Sequence, residues 1–188
     1  MIEIYPKNIF CIEGIQYSDS NSSMPTQATL EVLAENDDIL ISYKTCSNFE
    51  EFESVLSSFL FEEKINQEFE MIYFALKGKP NYIEINDEFL SLEELADLFE
   101  GKFENKMIHF GGDSILRVSD EEIHYFMEIT NASSVSGYSL DSPLLATLAI
   151  DALFFETCQK FDEFSDIKLG FYKKYTKFCA ALGFRMYC

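Results

Sequence analysis

The fold is decided by the stretch K-M-I-H-F-G-G-D-S at residues 106–114, taken together with E-M-I-Y-F-A-L-K-G at residues 70–78. Each is a short apolar run that ends abruptly in glycine and a charged residue, which is typical of a buried parallel strand. Open α/β sheets carry their chemistry at the carboxyl ends of the strands. We therefore expect Lys77 and Asp113, which follow these two runs, to lie at a candidate site.

Strand and helix patterns alternate from one end of the sequence to the other. Apolar runs predict strands at residues 8–15, 39–44, 71–76, 107–110 and 133–138, and residues 82–85 read as a small strand or one side of a hairpin. A polar loop is expected at residues 16–24. Helix starts are predicted at Pro25, at Ser47 or Asn48, at the capping boxes of Ser91 and Ser119, at Pro143 and near residue 166. No repeat or linker divides the chain, so we expect one α/β domain over residues 1–188.

This alternation predicts a doubly wound, mainly parallel sheet of about five to six strands with helices on both faces. The composition fits a packed core, since 47% of the 188 residues are hydrophobic and 19 are phenylalanine. The helix after Pro143 is almost wholly apolar and should be buried on most sides. The last helix should bury the stripe Phe171, Tyr175, Phe178 and Leu182.

The charge of the chain is strongly acidic and unevenly distributed. The net charge is −19, yet the residues from 160 onward carry +3 and the remainder carries −22. An acidic body disfavours nucleic acid, whose phosphates need lysine and arginine, and leaves room for a basic protein partner. General solubility is the plainer explanation of the charge. The basic, aromatic last helix is a candidate for partner binding or self-association, with a simple sheet-covering helix as the alternative.

The compartment is predicted from what the sequence lacks. No apolar run reaches membrane-spanning length, and the start M-I-E-I-Y-P-K-N has no signal-peptide pattern. The five cysteines show no C-x-x-C spacing, and neither histidine lies near a cysteine in sequence. We expect reduced thiols in a cytoplasm, with no metal site and no cofactor.

Five motifs carry a resemblance to a known family: I-F-C-I-E-G, Y-F-A-L-K-G, S-L-E-E-L-A-D-L-F-E-G, I-H-F-G-G-D-S and V-S-G-Y. In this order and spacing they are similar to a bacterial family that itself resembles the caspase-like cysteine peptidases, including the CHAT group. The resemblance covers residues 9–155 and implies a caspase-like fold. It also implies a catalytic His-Gly pair after the third strand and a catalytic cysteine after the fourth. Carried over by motif, the pair falls on Lys77-Gly78 and the cysteine on Asp113.

The resemblance therefore implies a degenerate peptidase site. A carboxylate is a poor nucleophile toward an amide, and a protonated lysine cannot accept a proton. Caspase-type recognition of acidic residues needs arginine, and neither Arg117 nor Arg185 follows the first strand. We expect a non-catalytic pseudo-peptidase that acts as a protein-binding or regulatory module in a bacterial conflict or signalling system. The alternative is a hydrolase of altered chemistry that uses Asp113 with Lys77, and a third reading is an acidic decoy for a basic protein.

The remaining candidates surround the same strand ends. Lys77 and Asp113 are expected either to form an ion pair, with a gross attraction of roughly 4 kcal/mol, or to stay as two solvated charges. Glu13 could bind a divalent cation with Asp113 or cap local structure. The other cleft candidates are Gly78, Gly111, Gly112, Ser114 and Gly137.

Histidine and cysteine side chains offer weaker candidates. His109 is expected to pack in the core against a helix, and His124 to lie on the surface among glutamates. Cys11 should be a small buried hydrophobe in the first strand. Cys46 begins a loop and could be exposed, but it has no histidine near it in sequence.

Overall fold

The computed structural model describes residues 6–15 and 25–188 of the chain. Its strands are β1 (Ile9–Gly14), β2 (Ile41–Cys46), β3 (Met71–Ala75), β4 (Lys77–Lys79), β5 (Tyr82–Ile85), β6 (Glu88–Ser91), β7 (Met107–Phe110), β8 (Ser134–Tyr138) and β9 (Phe184–Tyr187). Its helices are α1 (Pro25–Asp37), α2 (Phe49–Phe61), α3 (Glu63–Glu68), α4 (Leu92–Leu98), α5 (Asp120–Thr130), α6 (Leu144–Cys158) and α7 (Phe164–Leu182). The predicted loop at residues 16–24 lies outside the described residues.

The central sheet has six strands in the order β2-β1-β3-β7-β8-β9. Neighbours from β2 to β8 run parallel, and β9 runs antiparallel beside β8. The mainly parallel α/β fold class is thereby confirmed. Because β1 lies between β2 and β3, the direction of winding reverses there, and a reversal of this kind opens a crevice at the carboxyl ends of the strands.

Alternation along the strands divides the core between the two faces of the sheet. Phe10 and Ile12 belong to the cluster that α2, α4 and α5 cover, whereas Ile9 and Cys11 belong to the cluster that α1, α6 and α7 cover. Both faces are thus buried, which explains why β1, β3 and β7 are continuous apolar runs in the sequence.

The helix starts follow the capping residues that predicted them. Pro25 begins α1, and the side chain of Asn48 accepts a hydrogen bond from the third residue of the turn that opens α2. Ser91 and Ser119 both form complete capping boxes, at the starts of α4 and α5. The local sequence therefore places these helices correctly.

Several elements differ from the prediction. Residues 77–91 form a small antiparallel sheet of β4, β5 and β6, and β9 closes the central sheet; neither β6 nor β9 was expected. The start of α6 is not buried, because Leu144 and Leu145 are 57% and 79% exposed. Phe178 is exposed as well, since α7 is kinked at Tyr175 and the predicted stripe does not stay on one face. No helix in the described part of the chain is long and apolar enough to cross a membrane.

Candidate functional site

The ends of β3 and β7 lie side by side at the carboxyl edge of the central sheet. The two strands pair in parallel, with Phe74 opposite Phe110. The amide of Gly111 continues this ladder by donating to the carbonyl of Phe74 at 3.0 Å. Extended three residues beyond this last pair, the same register would place Lys77 level with Asp113. The fold therefore brings the two predicted positions to one edge of the sheet.

Glycines allow the two strand ends to touch. A Cβ on Gly112 would lie 1.7 Å from the carbonyl oxygen of Leu76, which is a backbone atom that cannot move aside easily. A Cβ on Gly111 would lie 2.4 Å from the ring of Tyr73, and one on Gly78 would lie 2.3 Å from a neighbouring side chain. These predicted cleft residues set the spacing between the two loops.

Lys77 and Asp113 are close in register but do not form an ion pair. Oδ2 of the half-buried Asp113 accepts a long hydrogen bond of 3.4 Å from the backbone amide of Gly78. Lys77 is exposed and begins β4, where it pairs across the small sheet with Glu84. A Cβ on Gly78 would point at Ile115, and because side chains alternate along a strand, the side chain of Lys77 points the other way, into solvent. No ion pair joins Lys77 to Asp113 in the described structure, so that hypothesis is wrong and the two charges stand apart.

Glu13 is held by neighbouring side chains at the end of β1. One of its carboxylate oxygens accepts a hydrogen bond from Oγ1 of Thr26 at 2.7 Å, and the other accepts one from the hydroxyl of Tyr43. Burial and then this bond raise the pKa of Tyr43 above its usual range, so the phenol stays a donor. Glu13 therefore ties β1 to α1 and β2, which is the capping role. No group of three or more histidine, cysteine, aspartate or glutamate side chains within residues 6–15 and 25–188 is arranged to hold a metal ion.

Ser114 and Gly137 do not belong to a catalytic arrangement of side chains. Ser114 is buried, and its Oγ has no hydrogen-bond partner among the described residues. Gly137 lies inside β8, opposite Phe110, where a Cβ would come within 2.8 Å of the Phe110 carbonyl oxygen. The hydroxyl has no base beside it, and the glycine serves close packing of β8 on β7.

A polar network lies in the core, on the side of the sheet that α6 covers. His109 is fully buried, with Nδ1 2.8 Å from Oγ of Ser136 and Nε2 2.8 Å from Oδ1 of Asp151. Both ring nitrogens therefore have a polar partner inside the core, as buried polar groups require. The prediction that His109 packs in the core against a helix is confirmed.

Two tyrosines complete this network. The hydroxyl of Tyr73 donates to Oδ2 of Asp151 at 2.7 Å, and that of Tyr138 donates to Oδ1 at 2.5 Å and contacts the carbonyl of Thr147 at 3.0 Å. Burial, followed by the charge of Asp151, raises the pKa of both tyrosines well above the usual value. The carboxylate is thus surrounded by donors from β3, β7 and β8.

Ser136, His109 and Asp151 follow the order of a serine–histidine–aspartate relay, but their burial prevents catalysis of that type. Ser136 is 2% exposed and Asp151 is 1% exposed, so a substrate carbonyl cannot reach the hydroxyl. The rings of Phe154 and Phe155 pack on the imidazole with centroids 5.2 Å away. The network therefore fixes α6 to the sheet and has no access to solvent.

Asp151 was not predicted as a member of a polar network, although the sequence contains a signal for it. It is the single charged residue between Leu144 and Phe155, in the helix that is otherwise apolar. A buried carboxylate needs donors, and the available donors were the histidine and tyrosines of strands read as wholly apolar. A lone acid in an apolar helix was therefore evidence for an internal network.

The cysteines are unreactive where the structure places them in the core. Cys11 is buried as predicted, but Cys46 is buried too, at 1% exposure, and not exposed as the loop position suggested. Burial, followed by the charge of Glu51, raises the pKa of Cys46 to about 12. Both nitrogens of His109 contact other partners, and His124 is exposed and packs edge-on against Tyr187. No cysteine–histidine couple forms among the described residues.

The fold resembles that of known caspases. One matching solved structure, the crystal structure of the Drosophila initiator caspase Dronc, is 15% identical in sequence and has a TM-score of 0.56. The match covers 94% of this chain and 72% of that chain, and at such low identity it shows a shared fold alone. No curated protein matches the sequence. Residues 6–188 match the family described as "Family of unknown function (DUF6642)", and because this match spans nearly the whole sequence, the chain belongs to that family.

Proposed function

We propose that this protein is a pseudo-peptidase: a caspase-like domain, residues 1–188, that binds a protein partner and does not cut peptide bonds. The observation that carries the proposal is the pair of residues at the ends of β3 and β7. By the motif resemblance, Lys77 takes the position of the catalytic histidine and Asp113 that of the catalytic cysteine. The parallel register of β3 and β7 supports this correspondence.

The chemistry of the two side chains opposes peptidase activity. Lys77 has an amine where the resemblance implies an imidazole, and lysine in its ordinary charged form has no lone pair with which to accept a proton. A carboxylate at Asp113 would form an anhydride with an acyl group, and the carboxylate is a much better leaving group than the amine it would need to displace. Loss of a nucleophile and its base costs several orders of magnitude in rate.

The contact between Asp113 and Gly78 adds a second obstacle. The carboxylate accepts from a backbone amide at the point where the two strand ends meet. An amide bond under attack develops negative charge on its carbonyl oxygen, and backbone N–H groups normally stabilise that charge. A fixed carboxylate beside such an amide repels the developing charge and competes for the same donor. The site is therefore suited to stable contacts and unsuited to acyl transfer.

The partner class follows from the charge and from the resemblance. We expect a protein partner in the cytoplasm, within a bacterial conflict or signalling system, because catalytic relatives of the caspase-like fold serve there. A net charge of −19 disfavours nucleic acid. The cavity of about 490 Å³ between α1 and α6 has neither Lys77 nor Asp113 among its lining residues, so it offers no substrate space to this pair.

A peptidase and hydrolase screen tests the proposal. The wild-type protein, Lys77→Ala and Asp113→Ala should all show the same background turnover of peptide and ester substrates. Lys79→Ala, an exposed lysine on the same short strand, is the matched control for Lys77→Ala. Turnover by the wild type that either Lys77→Ala or Asp113→Ala abolishes, while Lys79→Ala keeps it, would overturn the proposal in favour of a hydrolase that uses Asp113.

A variant that restores the two residues implied by the resemblance tests the geometry of the strand ends separately. In the double variant Lys77→His/Asp113→Cys, the thiol should react with iodoacetamide no faster than in Asp113→Cys alone, because the side chain at position 77 points into solvent and away from position 113. A much faster reaction in the double variant would show that an imidazole at position 77 reaches the thiol and favours the thiolate, and it would contradict this geometry.

A further inference from the structure

The outer surface of α7 combines exposed lysines with exposed apolar side chains. Leu169 is 68% exposed and Phe178 is 58% exposed, on a helix whose other side packs on the core. Three exposed lysines lie around them. We call this surface the basic α7 face: Leu169, Lys173, Lys174, Lys177 and Phe178. Leu169 and Lys173 are four residues apart and are neighbours on the first part of the helix, and Lys177 and Phe178 lie on the last part, beyond the kink at Tyr175.

A surface of opposite charge lies across α4 and α5, which pack against each other. Leu98 is 50% exposed and Tyr125 is 43% exposed, so this surface also has two large apolar side chains open to solvent. Partial desolvation raises the pKa of Tyr125, and so do four nearby carboxylates, those of Asp97, Glu93, Glu100 and Glu128. We call these six residues the acidic α4–α5 face.

The two faces lie on opposite sides of the central sheet. Residues of α4 and α5 pack into the core cluster that contains Phe10 and Ile12, whereas residues of α7 pack into the cluster that contains Ile9 and Cys11. Successive residues of β1 point to opposite faces of the sheet, so these clusters cannot share a side. One molecule therefore presents a basic, partly apolar surface on one side and an acidic, partly apolar surface on the other.

We propose that the basic α7 face binds the acidic α4–α5 face of a second copy of this chain. Three lysines meet four carboxylates, and on each face two exposed apolar side chains gain a partner to bury against. The contact joins two different surfaces, so it is heterologous. Because the surfaces lie on opposite sides of the molecule, the contact cannot close into a twofold dimer, and copies add end to end.

The overall charge opposes this association less than its size suggests. A domain of 188 residues has a radius of gyration of about 16 Å, so the centres of two touching copies are several times further apart than the Debye length of about 8 Å at physiological salt. The repulsion between two net charges of −19 is then largely screened. Opposite charges that face each other across the contact lie within one Debye length and still attract. Association is expected to be strongest at intermediate salt and to weaken toward 1 M, where the Debye length is about 3 Å.

Sedimentation velocity with complementary neutralised variants tests the proposal. The basic-face variant is Lys173→Gln/Lys174→Gln/Lys177→Gln, and the acidic-face variant is Glu93→Gln/Asp97→Asn/Glu128→Gln. All six positions are exposed, so both variants should fold. The wild type should exceed its monomer mass of 21.7 kDa increasingly as its concentration rises. Each variant alone should associate about tenfold more weakly, or not at all.

The mixture of the two variants gives the decisive result. Each variant keeps one intact face, so an equimolar mixture should form a complex of two chains that does not grow with concentration. The control Lys44→Gln/Lys64→Gln/Lys79→Gln removes the same charge from exposed lysines elsewhere and should behave like the wild type. A wild type that stays monomeric at every concentration would overturn the proposal. So would an acidic-face variant that associates as the wild type does, because α7 would then bind some other surface.

Discussion

Removal of the buried carboxylate of Asp151 should destabilise the protein more than any surface substitution. Asp151→Ala is expected to lower the free energy of unfolding by about 4 kcal/mol, because two buried donors lose their acceptor. The structure accounts for this size. Tyr73 and Nε2 of His109 each lose the acceptor they contact at 2.7 and 2.8 Å, and an unsatisfied buried donor costs about 1–3 kcal/mol. Tyr138 still has the carbonyl of Thr147 within 3.0 Å, so it adds little.

Urea unfolding followed by circular dichroism measures this loss. With a slope near 2 kcal/mol per molar urea, the midpoint should fall by about 2 M while the slope stays constant. The matched control is Glu156→Ala in the same helix, which removes only a part-exposed pair with Lys160 and should cost less than about 0.5 kcal/mol. Equal losses for Asp151→Ala and Glu156→Ala would refute the buried network.

A double-mutant cycle separates the network from simple loss of volume. Tyr73→Phe keeps the ring and removes one hydrogen bond to a charged group, at a cost of about 1.5–3 kcal/mol. Once Asp151 is alanine, the Tyr73 hydroxyl has nothing to donate to, so its removal should then cost little or even stabilise. The double variant should therefore be less destabilised than the sum of the single variants. Additive losses would mean that the two side chains do not interact.

Two further predictions concern the strand ends and the buried tyrosines. Gly112→Ala should destabilise the protein by several kcal/mol in urea unfolding, because the new Cβ would lie 1.7 Å from the carbonyl oxygen of Leu76. The control Gly14→Ala should cost clearly less, because its Cβ would meet only a movable methyl group of Leu76, at 3.1 Å. Equal losses for the two variants would contradict the close approach of Gly112 to Leu76. The raised pKa of Tyr73 and Tyr138 keeps both phenols protonated in the folded protein, whereas tyrosines of the unfolded chain ionise near pH 10. These two residues should therefore leave the free energy of unfolding unaffected below pH 10 and lower it as the pH rises above 10. Tyrosinate absorbance should show both residues ionising only on unfolding, and ionisation of both near pH 10 in the folded state would refute their burial.

The sequence was sufficient to predict the central sheet because its signals are local. Apolar runs that end in glycine mark β3 and β7, and proline or capping serines mark the starts of α1, α4 and α5. These features act within one turn of helix or one strand. The edge strand β9 was missed because F-R-M-Y is only four residues long, although its buried and half-buried side chains alternate.

The pairing of the two strand ends was predicted, but the directions of their side chains were not. Parallel pairing of β3 and β7 brings residues 77 and 113 to one edge, as expected. The predicted ion pair does not form, because the small antiparallel sheet decides the direction of the Lys77 side chain. The pairing of Lys77 with Glu84 in that sheet could not be predicted from a local sequence pattern. The polar core was missed for a related reason. Asp151 is 42 residues from His109 and 78 from Tyr73, so only the tertiary fold shows that they meet.

These separations have a consequence for how the protein folds. The polar groups on β3, β7 and β8 receive their shared acceptor only when α6, which follows all three in the chain, has been made and has docked. Until then a nascent or truncated chain holds tyrosine hydroxyls and an imidazole against an apolar surface without an acceptor. Contacts between residues so far apart in sequence form slowly, because the entropy of a long loop is lost before any hydrogen bond compensates for it. Docking of α6 is thus expected as a late kinetic step, and a ribosome-bound chain that stops before residue 144 should remain sensitive to proteases.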